Sequence, residues 1–139
     1  MATKTPKKST TKSDAKTTRA AAKRKLTYAL LHIQSTYNNT KVVLSDEKGN
    51  SVAHSSSGAL GFRGAKKGTP FAAAKVGETL GAKAQEAGMK EVAVVVCGVG
   101  SGRESAIRGF VSKGINITSI TDMTPVAFNG PSPKKPRRV

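Results

Sequence analysis

The chain has no tryptophan, one cysteine and eight Asp/Glu against 24 Lys/Arg among its 139 residues, and aromatics make up only 4% of it. Each shortage excludes something. Cys97 stands alone inside an apolar run, so an internal disulfide and a thiolate metal cluster are both ruled out, which fits a reducing compartment. No apolar run approaches the ~20 residues of a membrane span, and no apolar stretch of signal-peptide type follows the basic N-terminal residues. Transit peptides favour Arg, whereas residues 1–25 carry seven Lys and two Arg. A soluble, non-secreted protein without a membrane partner is expected. The scattered aromatics Tyr28, Tyr37, Phe62, Phe71, Phe110 and Phe128 disfavour a single-strand reader of the RNA-recognition-motif type. Of these, Phe71 and Phe110 are expected to fill core at helix positions, leaving Phe62 as the exposed aromatic.

What is abundant is positive charge, and it is unevenly placed. Residues 1–25 hold nine bases against Asp14 alone, and residues 131–139 add Lys134, Lys135, Arg137 and Arg138 with no acid. Of the net charge of +16, +12 therefore lies in two tails. Sparsely apolar arms bury too little surface to offset their ordering entropy, so both are expected to be disordered until they meet a polyanion, foremost a nucleic acid. The remainder suffices for one packed domain. The expected organisation is a basic N-terminal arm over residues 1–25, one α/β domain over 26–128 and a basic tail over 129–139.

From Leu26 onward, short apolar runs alternate with turn residues. Leu26 to Gln34, Val42-Val43-Leu44 and Ser51 to Ser56 read as strands, the last two joined by a hairpin at Asp46 to Asn50. The acid-free segment Gly58 to Gly68 is expected to be an exposed loop. Thr69-Pro70 supplies a capping hydroxyl and a proline at the first helical position. Ala73, Val76, Leu80, Ala84 and Ala87 then share one face of a helix over residues 70–87. Glu91 to Cys97 is apolar without alternation after its first residue, as for a central strand covered on both faces. Ser101-Gly102-Arg103-Glu104 has capping-box spacing and predicts a helix to about Lys113. Ile115, Ile117, Ile120 and Met123 mark a last strand with one break in period. The order β-β-β-α-β-α-β implies a mixed sheet with packed helices, an order shared by ribonuclease H-like folds.

Catalysis finds little support in this pattern. A two-metal nuclease needs clustered carboxylates on neighbouring strands, whereas the core offers Asp46 in a turn, Asp122 near the last strand and glutamates mostly in helices or turns. His32 and His54 lie in strands without metal-ligand spacing, and neither a dinucleotide fingerprint nor a Walker lysine is present. No cofactor and no small-molecule substrate are expected. Two segments have anion-binding physics. Gly98, Gly100 and Gly102 can bare backbone N–H groups at a helix start beside Arg103 and Arg108, or can simply form a tight turn. At Gly58 to Lys67, the bases Arg63, Lys66 and Lys67, with Lys75 beyond them, converge on one helix start with no acid.

At these residues the chain resembles a known family. Tyr37-Asn38-Asn39-Thr40, Gly58-Ala59-Leu60-Gly61-Phe62-Arg63-Gly64 with Lys66-Lys67, Thr69-Pro70-Phe71-Ala72-Ala73, Gly100 to Arg108, Asp122-Met123-Thr124-Pro125, Asn129-Gly130 and Arg137-Arg138-Val139 are similar to small-subunit ribosomal protein eleven in its bacterial or organellar form. The N-terminal arm falls outside the resemblance. Departures are Val99, where proline is usual, and Ala127, Phe128, Pro131 and Ser132, where a Pro-His-Asn-Gly-Cys-Arg stretch is usual. The resemblance implies a non-catalytic ribonuclease H-like α/β fold on the platform of the small ribosomal subunit. There it would bridge small-subunit rRNA helices near the messenger RNA exit and Shine-Dalgarno cleft. Small-subunit proteins seven and eighteen would be its neighbours, with mRNA and initiation factor three within reach.

On this reading Arg63, Lys66, Lys67, Lys75, Arg103, Arg108, Lys134, Lys135, Arg137 and Arg138 neutralise phosphates of separate RNA segments. Asn38, Asn39, Thr40 and Ser101 hydrogen-bond backbone or base edges, and Phe62 offers a stacking face. About six to ten such contacts would lose roughly 10³ to 10⁵ in affinity over a modest rise in salt. Two other classes stand beside this one. A free architectural protein coating DNA or RNA would leave small subunits in moderate salt, and a nuclease would cleave in the presence of Mg²⁺.

Overall fold

The computed structural model describes residues 26–138. The N-terminal arm over residues 1–25 lies outside the described residues, as does Val139. Three strands open the domain: β1 (Tyr28–Ser35), β2 (Thr40–Ser45) and β3 (Ser51–Ser56). Gly49 at φ 83° makes the β2–β3 turn, and its N–H reaches the Asp46 carbonyl at 2.9 Å. A short 3-10 helix at Gly64–Gly68 interrupts the expected loop and leads into α1 (Pro70–Glu86). Next come β4 (Glu91–Cys97), α2 (Arg103–Val111) and β5 (Asn116–Asp122). The β-β-β-α-β-α-β order and the mixed sheet are as expected from the sequence.

Sheet order is β3-β2-β1-β4-β5, so the first strand made is the middle one. It pairs antiparallel with β2, placing Ile33 opposite Val42, and parallel with β4, placing Leu31 opposite Val94. β5 joins β4 in parallel, and the register shifts where Ile117 is followed by Ser119, which is the break seen in the isoleucine period.

Both crossovers, β3 to β4 and β4 to β5, step in the same direction across strands that run the same way. The right-handed rule therefore puts α1 and α2 on one face. α1 touches β2 and β3, α2 touches β1, and the two helices pack on each other. Under them lie Ala29, Leu31, Ile33, Val42, Leu44, Val92, Val94 and Val96, all buried, with Val76, Leu80 and Phe110 from the helices. Burying each larger apolar side chain contributes about 1.5–3 kcal/mol.

The surroundings of β4 differ from those expected of a strand covered on both faces. β4 is covered by helices on one face only, and the residues that alternate with the core, His32, Gln34, Lys41 and His54 among them, are exposed on the other. Its apolar run arises because Ala93 and Val95 sit between the flanking strands β1 and β5, where neighbouring side chains shade them.

The helix pair crosses at small residues. A Cβ on Gly77 would overlap the Ala106 carbonyl oxygen and come within 2.9 Å of the Phe110 nitrogen, and one on Gly109 would overlap the Ala74 carbonyl oxygen. Backbone therefore lies against backbone, which sets the position of α2 relative to α1.

Candidate nucleic-acid interface

The site is built where three loops meet beyond the C-terminal ends of β1 and β4. In the β1–β2 turn, the Thr36 hydroxyl accepts from the Asn39 N–H at 3.1 Å and donates to the Asn39 carbonyl at 3.0 Å. This closes the turn and leaves Tyr37 and Asn38 exposed at its tip, Tyr37 by 77%. Asn39 is half-buried, and its side-chain carbonyl lies 2.6 Å from the Ser57 hydroxyl. That hydroxyl also lies 2.8 Å from the Lys67 carbonyl and accepts from the Thr40 N–H at 3.2 Å. Its single proton is divided between two acceptors, so Ser57 ties the turn to the basic segment. Thr40, expected to face RNA, is fully buried with its hydroxyl 3.3 Å from that of Ser35. It supports the turn from beneath and presents no group outward.

The glycines of this region serve close approach. A Cβ on Gly68 would overlap the Tyr37 carbonyl oxygen, and one on Gly102 would come within 2.6 Å of the Thr40 hydroxyl and 2.7 Å of Ala73. The Gly100 N–H donates to the Ser35 carbonyl at 3.0 Å, and the Gly98 N–H donates to the Thr124 hydroxyl at 3.2 Å. Of the two readings the sequence left open, tight packing accounts for these glycines: two of the N–H groups that would grip an anion are committed inward. Ser101 likewise differs from expectation. Its hydroxyl donates to the Gly68 carbonyl at 2.9 Å, Gly102 is the N-cap of α2, and no side chain caps that helix. The capping box is not formed because a carbonyl 33 residues away in sequence takes the hydroxyl.

Arg103 is also drawn inward. Its guanidinium donates to the Gly98 carbonyl, to the Asp122 carboxylate and, at 3.2 Å, to the Thr124 hydroxyl. The Thr124 hydroxyl and N–H bond the Asp122 carboxylate as well, the N–H at 2.9 Å. Hydrogen bonds from Thr124, then from Arg103, hold the Asp122 carboxyl down at about 2. Arg103 therefore fastens the end of β5 and the start of the C-terminal segment to the β4–α2 loop, and it spends its charge on Asp122. Gln34, Tyr37, Val99 and Pro125 line the shallow groove of about 390 Å³ between that segment and the β1–β2 turn.

The outward-facing cations are those of the second loop. Arg63 and Lys66 are exposed and Lys67 is half-buried. Thr69 caps α1 by accepting from the Ala72 N–H at 3.4 Å, Pro70 opens the helix, and its first turn carries no acid. This corner gathers positive helix-end potential and full charges together. Lys75 pairs with Glu78 at 2.9 Å, which lowers the Glu78 carboxyl. Arg108 pairs with Glu104 at 3.3 Å, and both side chains are more than four-fifths exposed. Such a surface pair is worth little and exchanges readily for a phosphate. Lys134, Lys135, Arg137 and Arg138 are exposed in a segment without regular secondary structure.

The aromatics, too, lie differently from expectation. Phe110 is buried in the core, but Phe71 is 64% exposed and Phe62 is the half-buried partner. The two rings meet edge to face, 6.1 Å between centroids and 85° between planes, and the Lys75 ammonium stands 5.9 Å from the centre of Phe71. Phe71 shares its helix row with Lys75 and Glu78, a spacing that could have shown it to face solvent. Tyr37 was likewise missed as an exposed aromatic at the tip of its turn.

Among the described residues, no group of three or more His, Cys, Asp or Glu side chains could hold a metal ion. No described helix is long and apolar enough to cross a membrane. The mixed-sheet α/β fold thus draws three distant loops together and turns Arg63 and Lys66 outward beside them. The family model for Ribosomal protein S11 matches residues 29–138, from β1 to the basic tail, and the chain belongs to that family. Its members are structural, non-enzymatic components of the small ribosomal subunit, with rRNA and ribosomal proteins as partners.

Proposed function

We propose that this chain bridges small-subunit rRNA helices on the platform of the bacterial small subunit, near the messenger RNA exit and Shine-Dalgarno cleft. The observation that carries this reading is the convergence of the Tyr37-Asn38 turn, the Arg63 to Gly68 segment and the Ser101 loop on one corner, joined by Ser57, Gly68 and Ser101. Arg63, Lys66, Lys67 and Lys75 grip phosphates at that corner, Asn38 offers an unengaged carboxamide beside them, and Arg108 leaves Glu104 for a second RNA segment. Lys134, Lys135, Arg137 and Arg138 reach a third segment. Asn39, Thr40, Ser101 and Arg103 act from beneath by holding the loops in place, and Phe62 acts by bracing Phe71. Small-subunit proteins seven and eighteen are the neighbours, and mRNA and initiation factor three pass within reach of the C-terminal tail.

The test is assembly of small subunits with the full chain, followed by crosslinking and sequencing of the attached RNA. The reading expects co-sedimentation with small subunits in moderate salt and crosslinks to platform helices from at least two loops. Recovery of the chain free of subunits, or crosslinks confined to one helix, would refute it. Because each phosphate contact contributes a log-log salt slope of about 0.7 to 0.9, binding must also weaken steeply as salt rises.

A further inference from the structure

We propose that Phe71 is a stacking platform for one unpaired nucleobase of the bound RNA, with the adjoining phosphate held by Arg63 and Lys66. The inference rests on the RNA-binding reading above and adds to it the class of group recognised. Three observations carry it. Phe71 is 64% exposed at the second position of α1, although Ala72, Ala73 and Val76 beside it are fully buried. The ring is held rather than loose. Its backbone follows the Thr69 cap and Pro70, Phe62 braces it at 85°, and the Lys75 ammonium sits 5.9 Å from its centre, tied in turn to Glu78 at 2.9 Å. The segment that presents it, from Gly58 to Gly77, contains no acid.

A lone exposed phenylalanine is ordinary on a protein surface. A braced one beside the Lys75 ammonium, on a segment whose Arg63 and Lys66 enter none of the described ion pairs, is suited to a ligand with a flat π face and nearby negative charge, which is a nucleotide. An apolar peptide would gain nothing from Arg63 and Lys66, and a continuous duplex would not offer the face of a base. A splayed or bulged nucleotide offers both face and phosphate. Phe62 then serves as a positioning residue, because its ring sets the tilt of Phe71 without meeting the base.

The experiment uses small subunits assembled with the full chain carrying the native residue, Phe71→Leu or Phe71→Trp. Sedimentation reads incorporation, and dimethyl sulfate and related reagents read the reactivity of each rRNA base. Leu keeps apolar bulk but removes the π face, whereas Trp keeps a larger one. All three chains should enter subunits. One unpaired base, protected with the native residue and with Phe71→Trp, should become several-fold more reactive with Phe71→Leu, and ultraviolet crosslinking to the peptide bearing residue 71 should disappear. Base-stacking losses of this kind correspond to about 5- to 150-fold in binding of an isolated RNA element. An identical reactivity profile in all three would overturn the stacking proposal and leave the RNA-bridging function standing. Loss of protection in both variants would also overturn it, because shape rather than a π face would then matter. Failure of the native chain to enter subunits would overturn both.

Discussion

Replacing Gly109 by alanine should destabilise the domain even though alanine is the better helix former. In an unobstructed helix interior the change gains about 1 kcal/mol. Here the added methyl would overlap the Ala74 carbonyl oxygen and stand 3.0 Å from its carbon and 3.1 Å from its Cα. Those atoms belong to the α1 backbone and cannot swing aside, so α2 must lift from α1. Overpacking of this kind costs about 1–3 kcal/mol, and a backbone obstacle puts the cost at the upper end, for a net loss of about 2 kcal/mol. For a domain of this size each kcal/mol shifts Tm by roughly 4 °C, so thermal unfolding followed by circular dichroism should show a fall of about 8 °C. Gly81→Ala is the internal comparison. Its methyl would meet the Lys113 side chain at 2.7 Å and the Phe110 carbonyl oxygen at 3.0 Å, and part of that obstacle is flexible. It should cost less than Gly109→Ala. A Tm raised by Gly109→Ala, or equal losses for the two variants, would refute the account of backbone contact at the crossing.

The other predictions concern the loops. Because the Asp122 pKa is depressed in the folded chain, its contribution to stability is present above the ordinary 3.8 and is lost as pH falls through about 2. An NMR titration of the Asp122 carboxyl should find its midpoint near 2, and Thr124→Ala, which removes the leading cause, should move it upward. Ser57→Ala should cost about 1–3 kcal/mol in urea unfolding, since the buried Thr40 N–H and the Lys67 carbonyl both lose their partner. Lys66→Ala should lower the log-log salt slope of rRNA binding by about 0.7 to 0.9 while leaving Tm within about 0.5 kcal/mol equivalent. An unchanged slope would remove Lys66 from the phosphate contacts.

Local signals in the sequence located the elements well, and long-range partners decided where they misled. Thr69-Pro70 and the spacing of Ala73, Val76, Leu80 and Ala84 place α1 nearly to the residue because capping and burial periodicity act within one helix. Ser101-Gly102-Arg103-Glu104 carries the same kind of signal, yet the Ser101 hydroxyl finds Gly68 instead. Arg103 read as a phosphate ligand because nothing in its neighbourhood shows Asp122, which β5 brings to it across the sheet edge. The basic run at Arg63, Lys66 and Lys67 was legible as a surface because no acid lies near it in sequence, and the fold adds none of the described ion pairs to it. Phe71 was misassigned by residue type, although its row on the helix holds Lys75 and Glu78. The bare sheet face was hidden because one-sided burial in β4 looks, in sequence, like burial on both sides.

The position of β1 in the middle of the sheet has a consequence for synthesis. This strand leaves the ribosome first, yet its parallel neighbour is complete only when the chain has been extended to Cys97, since Tyr28 pairs with Glu91 and Gln34 with Cys97. Until then the nascent chain can hold no more than the β1–β2–β3 meander and α1, with one flank of β1 unpaired. Completion of the sheet therefore waits on translation through β4, a closure between strands more than 60 residues apart in sequence.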